Sequence, residues 1–365
     1  MKLTFLIILI AVFFIVSSVF GGDMGKSPIE SQINSFVEGV MTNYNIPGLA
    51  IGVVKDGQIL YTKGYGYKNI ETKEPITDIC LFHMASISKP FVATAVMQLV
   101  QAGKIDLDAP VIQYLPYFKL NDPRYKHITV RQMLTHTSGM PDVEDYEWEK
   151  PQYDDNALTR YVLSLDRKQL ISDPGEKFRY SNMAYEVLGN MIAKVSRMSF
   201  EDYMKQNILE PLDMQRSTFF KGKASKILCT YPHVWKLKTE VSEVYPYNRA
   251  HAPSSTLHSN AVEMCQWAIA NLNRGEYNNN RILDATGFNQ LWKPYSDACK
   301  ENKVGLSWFL RENNGVFIVH HGGGDVGYST QLSLKPREMT AVVVLSNYDK
   351  TPAAQISDGI WAIIF

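Results

Sequence analysis

The hydrophobic period along this chain changes twice, from two to about 3.6 and back to two, and that order of periods restricts the fold more than any other feature. Near the start, residues 49–54 and 58–65 are apolar runs flanking Lys55-Asp56-Gly57, and Asp-Gly between two such runs marks a β-hairpin. From Ser86 to about Trp292 the pattern is largely helical; Met183, Val187, Leu188, Met191, Ile192 and Val195 recur at helical spacing. Near the end, residues 304–311, 316–320, 328–334 and 340–345 read as strands, the first two joined through Asn313-Asn314-Gly315. Helices are expected before the first strand, over 29–44, and after the last, over 352–365. Strands at both ends with helices between them predict an α+β fold. One antiparallel sheet is assembled from the two termini and flanked by helices, and a large, mainly helical subdomain is inserted between its halves. A site built from both parts should lie at their junction.

Ser86 and Lys89 stand at that junction, in His83-Met84-Ala85-Ser86-Ile87-Ser88-Lys89-Pro90, the only Ser-x-x-Lys in the sequence. Residues three apart share a helix face, so the amine can take the proton that keeps a serine hydroxyl from being a good nucleophile. The helix that follows is apolar nearly all round, from Phe91 to Val100, as expected of a helix buried in a domain centre. A lysine at the mouth of such a helix needs a reason. Pro90 fits the first turn, where it costs no hydrogen bond.

Two further segments carry chemistry. Tyr180-Ser181-Asn182 opens the helix marked by Met183 and Val187. A phenol beside a lysine is expected to have a lowered pKa and to serve as a base toward Ser86, while Asn182 offers a donor and an acceptor to a substrate amide. The spelling Tyr-x-Asn also occurs at Tyr67-Lys68-Asn69 and Tyr277-Asn278-Asn279, so it does not select the site alone. His321-Gly322-Gly323-Gly324 lies between two predicted strands, where glycines let a ligand approach the backbone and an N–H can complete an oxyanion hole with that of Ser86. No Gly-x-Ser-x-Gly elbow and no His-Glu-x-x-His is present, which argues against an α/β-hydrolase and a zinc peptidase. No cofactor or metal is called for. His136 is read as a structural loop residue near the site.

Lysine plus arginine and aspartate plus glutamate balance at 37 each, which leaves no electrostatic footprint for nucleic acid and favours a small-molecule or peptide substrate. Met1-Lys2 precedes an apolar run over 3–20 and then Gly21-Gly22-Asp23. This reads as an export signal over 1–22, with Val19-Phe20-Gly21 as its cleavage site and a hydrolase domain over 23–365. The run is also about long enough to span a bilayer, so an uncleaved membrane anchor is the alternative. Either way the protein is expected outside the cytoplasm, periplasmic or extracellular. Cys80, Cys229, Cys265 and Cys299 lack zinc-site spacing and allow three disulfide pairings, among which the sequence does not choose; Cys265 reads as a buried small hydrophobe on a helix. Oligomeric state is not encoded in any of these features.

Taken in order, Ser86-x-x-Lys89, Tyr180-x-Asn182 and His321-x-Gly323 resemble the three motifs of the serine β-lactamase and penicillin-binding protein superfamily. The branch this chain looks like is the class C β-lactamase-related group, which includes D-alanyl-D-alanine carboxypeptidases, D-aminopeptidases and esterases. Residues 98–108, 133–139 and 209–214 are also similar to signatures of that group, and the resemblance spans roughly 30–350. It implies an acyl-enzyme mechanism. Ser86 attacks a carbonyl, Lys89 and Tyr180 manage the proton, the N–H groups of Ser86 and Gly324 hold the oxyanion, and water activated by Tyr180 releases the acid. The order of the motifs rejects Tyr67, which precedes the serine. One departure bears on substrate: His321 stands where many relatives carry the lysine of Lys-Thr-Gly. A mostly neutral histidine is a weaker carboxylate anchor, so a peptidase or esterase with poor β-lactam turnover is expected. The competing reading is a binding or scaffold protein that keeps the fold without the activity.

Overall fold

In the computed structural model of the protein, residues 28–299, 301–313 and 315–365 are described. The export signal or anchor expected over 1–22 lies outside them. Among the described residues no helix is long and apolar enough to cross a membrane.

The nine strands of the main sheet are β1 (Gly48–Lys55), β2 (Gln58–Asn69), β3 (Glu74–Pro75), β4 (Ser296–Asp297), β5 (Asn302–Val304), β6 (Phe309–Asn313), β7 (Val316–Asp325), β8 (Tyr328–Lys335) and β9 (Thr340–Ser346). Their order across the sheet is β4-β5-β6-β7-β8-β9-β1-β2-β3, antiparallel throughout. The two chain ends meet at the β1–β9 pairing, with Leu49 opposite Ser346 and Val53 opposite Val342. Five helices organise the rest: α1 (Pro28–Tyr44), α2 (Ser88–Gln101), α3 (Asn182–Ser196), α4 (Ala261–Leu272) and α5 (Ala353–Ile364).

Both faces of the sheet are covered, and the period-two pattern sorts side chains between two cores. Leu49, Ile51, Val53, Val342 and Val344 face α1 and α5, where they meet Ile33, Val37, Ile356 and Ile360. Ala50, Val54, Ala341, Val343 and Leu345 face the other way, into the larger core shared with α2, α3 and α4. Two glycines set the layer spacing. A Cβ on Gly52 would lie 2.5 Å from Cys265 Sγ on α4, and one on Gly359 would lie 2.1 Å from the Phe36 ring. Cys265 is the buried helical residue expected, and Cys80, Cys229 and Cys299 are likewise free thiols.

The structure departs from the expected elements at three places. The single strand expected over 304–311 is two strands, β5 and β6, folded back on each other. Ser307 takes a left-handed φ of 75°, Gly305 N–H donates to Trp308 O at 2.8 Å, and Val304 comes to pair with Phe309. The glycines of 322–324 form no turn; they continue β7 to Asp325, and the reversal falls at Val326-Gly327. Their freedom serves close approach, because a Cβ on Gly323 would sit 2.3 Å from Met84 O and 2.3 Å from Thr330 Oγ1. Helix α2 begins at Ser88, and Ser86 belongs to the 3₁₀ turn Ala85–Ile87 that leads into it.

Candidate active site

The turn carrying Ser86 is held from three sides. Met84 N–H donates to Leu257 O at 2.7 Å, Thr330 Oγ1 on β8 donates to Met84 O at 2.9 Å, and Gly323 on β7 packs against Met84 and Ala85. Ala85 is forced to a left-handed φ of 47°, costing about 1–2 kcal/mol for a residue with a Cβ. That strain presents Ser86 toward a cleft while its neighbours Ala85, Ile87 and Ser88 are buried.

Lys89 is completely buried. Its Nζ donates to Ser86 Oγ at 2.8 Å and to the backbone carbonyl of Ser254 at 2.9 Å. Burial disfavours the ammonium and brings the Lys89 pKa down to about 7, against an opposing pull from the carboxylates of Glu186, Asp142 and Asp325. The amine is therefore available as a base near neutrality and lies in bonding contact with the hydroxyl.

Tyr180 borders the same cleft, with its ring 5.1 Å from Lys89 Nζ. The lowered phenol pKa expected from the sequence is not found. Burial raises it, the hydrogen bond with Ser86 only partly offsets that, and Asp142 raises it further. Tyr180 thus keeps its proton at neutral pH. His136 fixes the ring, stacking on it with centroids 4.2 Å apart while its Nδ1 accepts the Ser181 N–H at 3.1 Å. This agrees with a structural role for His136, and burial pushes its pKa well below the usual range.

Asn182 is the first residue of α3, behind the Ser181 cap. Its Nδ2 donates to Asp142 Oδ1 at 2.9 Å, and its backbone N–H donates to the same oxygen at 2.7 Å. A carboxylate only accepts, so this pairing orients the amide and leaves Asn182 Oδ1 buried with no partner among the described residues. Asn182 Oδ1 is the acceptor left for a ligand, while one of the two N–H groups of its amide faces Asp142.

Both histidines of β7 line the cleft of about 460 Å³ that also contains Ser86, Tyr180, Asn302, Phe309 and Gln331. His320 is half-buried, with Nε2 3.2 Å from Asn302 Oδ1. His321 is buried, its Nδ1 lies 2.7 Å from Gly322 O, and its Nε2 has no partner among the described residues. The carbonyl assigns the proton to Nδ1 and leaves Nε2 as an acceptor. Burial, with Lys89 nearby, lowers the His321 pKa to about 3, so the ring is neutral throughout the working range. Gly324 is exposed on the same strand with open space above it, whereas Gly323 is occupied by its contact with the Ser86 turn. Tyr67, on β2, and Tyr277, in a hairpin of the helical region, do not line this cleft. No cluster of histidine, cysteine and acidic side chains able to hold a metal occurs among the described residues.

Several residues that shape the site escaped the sequence reading. Asp142 orients Asn182; Ser254 seats Lys89; Asp325, just past Gly324, accepts from Trp148 Nε1 at 3.1 Å and lies 3.1 Å from His83 Nε2. Asp325 thereby ties the 144–153 loop to the end of β7. Only Glu186 left a local signal, as the one acid in the otherwise buried apolar run of α3.

The family model described as Beta-lactamase matches residues 33–363. The chain belongs to the beta-lactamase family. Its fold is that of the serine β-lactamase and penicillin-binding protein superfamily, as the resemblance implied. This family member is 29% identical over 329 residues to Protein flp of Staphylococcus aureus strain MW2, an alignment covering 87% of this chain and 63% of that protein. It is 27% identical to Beta-lactamase-like protein 2 of Dictyostelium discoideum over 83% of this chain and 56% of that one. The family member thus spans less than two thirds of the length of these curated relatives. Among solved structures, the octameric penicillin-binding protein homologue from Pyrococcus abyssi superposes with a TM-score of 0.80 at 28% identity, covering 92% of this chain and 77% of that one. A penicillin-binding protein from Bacillus halodurans shares the fold at 22% identity, with a TM-score of 0.77 over 93% of this chain and 100% of that one.

Proposed function

We propose that this protein is an exported serine hydrolase that works through an acyl-enzyme on Ser86 and acts on peptides of the D-alanyl-D-alanine type or on esters. The observation that carries this reading is the fully buried Lys89 amine, its pKa near 7, 2.8 Å from the Ser86 hydroxyl. As Ser86 Oγ bonds to the substrate carbonyl carbon, its proton passes to neutral Lys89. The developing oxyanion is held by the N–H groups of Ser86 and Gly324. Tyr180, a protonated phenol against Ser86 rather than a standing phenolate, passes its own proton to the leaving group and takes its replacement from the Lys89 ammonium. In deacylation a proton of the incoming water passes through the same groups to Ser86 Oγ as the acyl bond breaks. Asn182 Oδ1 accepts a substrate N–H. These are the roles the family pattern implies for the same residues, except that the resting base is the lysine.

The neutral His321 supports the expectation of poor β-lactam turnover. A ring with a free acceptor at Nε2 offers no cation to a substrate carboxylate and suits a ligand that presents a donor there. Export is proposed from the basic and apolar start over residues 1–22, with an uncleaved membrane anchor through 3–20 as the alternative. A panel of D-alanyl-D-alanine peptides, short-chain esters and a chromogenic cephalosporin tests the specificity. Peptide or ester turnover should exceed cephalosporin turnover by about 100-fold in kcat/KM, a loss of 2.7 kcal/mol in transition-state binding. Cephalosporin hydrolysis equal to the best substrate contradicts it.

A further inference from the structure

We propose that Glu186 is a positioning residue that sets the proton affinity of Lys89 and fixes the carbonyl on which it rests, a role that depends on the acyl-enzyme reading above. Glu186 lies one helical turn after Asn182 on α3, so both point from the same helix face into the site. It is fully buried, yet among the described residues no arginine or lysine bonds to it. Its Oε1 accepts from Ser254 Oγ at 2.5 Å and stands 3.2 Å from His251 Nδ1, while Oε2 has no partner among the described residues. Ser254 is the link: its hydroxyl donates to Glu186, and its backbone carbonyl accepts from Lys89 Nζ at 2.9 Å. The Tyr146 and Tyr161 rings pack edge-on against His251 at 4.8 and 4.6 Å and close the outer side.

A carboxylate buried without an arginine or lysine beside it is costly; its neighbours one turn before and after on this helix face, Asn182 and Asn190, are buried but uncharged. The cost is offset where the charge acts on the amine beyond Ser254. Of the carboxylates facing Lys89, Glu186 favours the ammonium most, ahead of Asp142 at the loop and Asp325 at the end of β7. His136 and His321 face the same amine as neutral rings, and the Tyr180 and Tyr185 rings lie 5.1 and 5.7 Å from Nζ. Around Glu186 itself stand His251 and the phenols of Tyr146 and Tyr161, both raised by burial and by the carboxylate. Glu186 thus opposes the desolvation of Lys89. It keeps the amine basic enough to strip Ser86, while Ser254 keeps it aimed.

The rate of Ser86 labelling by a fluorophosphonate, followed by intact mass from pH 5 to 10, tests this in the full chain. Wild type should be half-maximal near 7. Glu186→Gln should move the midpoint down by about one pH unit and lower the plateau about tenfold, because a weaker base takes the proton. Glu186→Asp keeps the charge but withdraws it and should shift the midpoint in the same direction by less. It also carries the test if Glu186→Gln does not fold. A merely structural role moves yield or melting temperature and leaves the midpoint alone, so wild-type midpoints in both variants, or in Glu186→Asp alone if only that one folds, overturn the inference while the serine reading stands. A wild type unlabelled at every pH overturns both.

Discussion

The terminal layer and the Ser86 crevice are built on opposite terms. Where β1 and β9 meet α1 and α5, Leu49, Ile51, Val342, Val344 and Ile360 are apolar and wholly buried, and the pairings of these two strands are regular except for a bulge at Val53/Val54. In the crevice the chain buries a lysine and a glutamate, leaves Asn182 Oδ1, His321 Nε2 and Glu186 Oε2 without partners among the described residues, and holds Ala85 in a left-handed conformation. Each of these features costs stability, and all lie in or directly behind the Ser86 cleft. The first region holds the fold, and the second spends part of that stability on reactive geometry.

Two substitutions separate the regions. Gly323→Ala places a methyl 2.3 Å from Met84 O, so β7 or the Ser86 turn must shift. A displacement of this kind should cost about 100-fold in the rate of Ser86 labelling, measured per folded molecule. Labelling at the wild-type rate would dissolve the distinction, because close approach at Gly323 would then have no bearing on the nucleophile. Leu49→Ala works on the other layer. It should lower the unfolding free energy by about 3 kcal/mol in denaturant titration while leaving the labelling rate of folded protein unchanged. A large loss of labelling in folded Leu49→Ala would show that the two regions are coupled.

The same contrast explains what could be read from the sequence. The sheet, its assembly from both ends and the helical insertion follow from periodicity, since apolar burial is written residue by residue as at Leu49 to Val54 and Val342 to Leu345. The reversal at Ser307 was hidden, because a strand pattern continues through Gly305 and Trp308 and only the left-handed backbone at Ser307 breaks it. Ser86, Lys89, Tyr180, Asn182 and the His321 segment were legible as spaced motifs. Asp142, Ser254 and Asp325 were not, because they act through contacts across long sequence separations that leave no local pattern. The Tyr180 pKa failed for a related reason. Proximity to a lysine could be guessed from motif order, but the burial that outweighs it depends on the whole crevice.

The central claim is that a desolvated Lys89 activates Ser86, and the pH dependence of Ser86 acylation in the wild-type protein tests it most directly. The rate should rise through a midpoint near 7 and then level off, with the mass increment mapped to Ser86 and absent from Ser86→Ala. A profile still rising toward the ordinary lysine range, or a label that persists in Ser86→Ala, would contradict it.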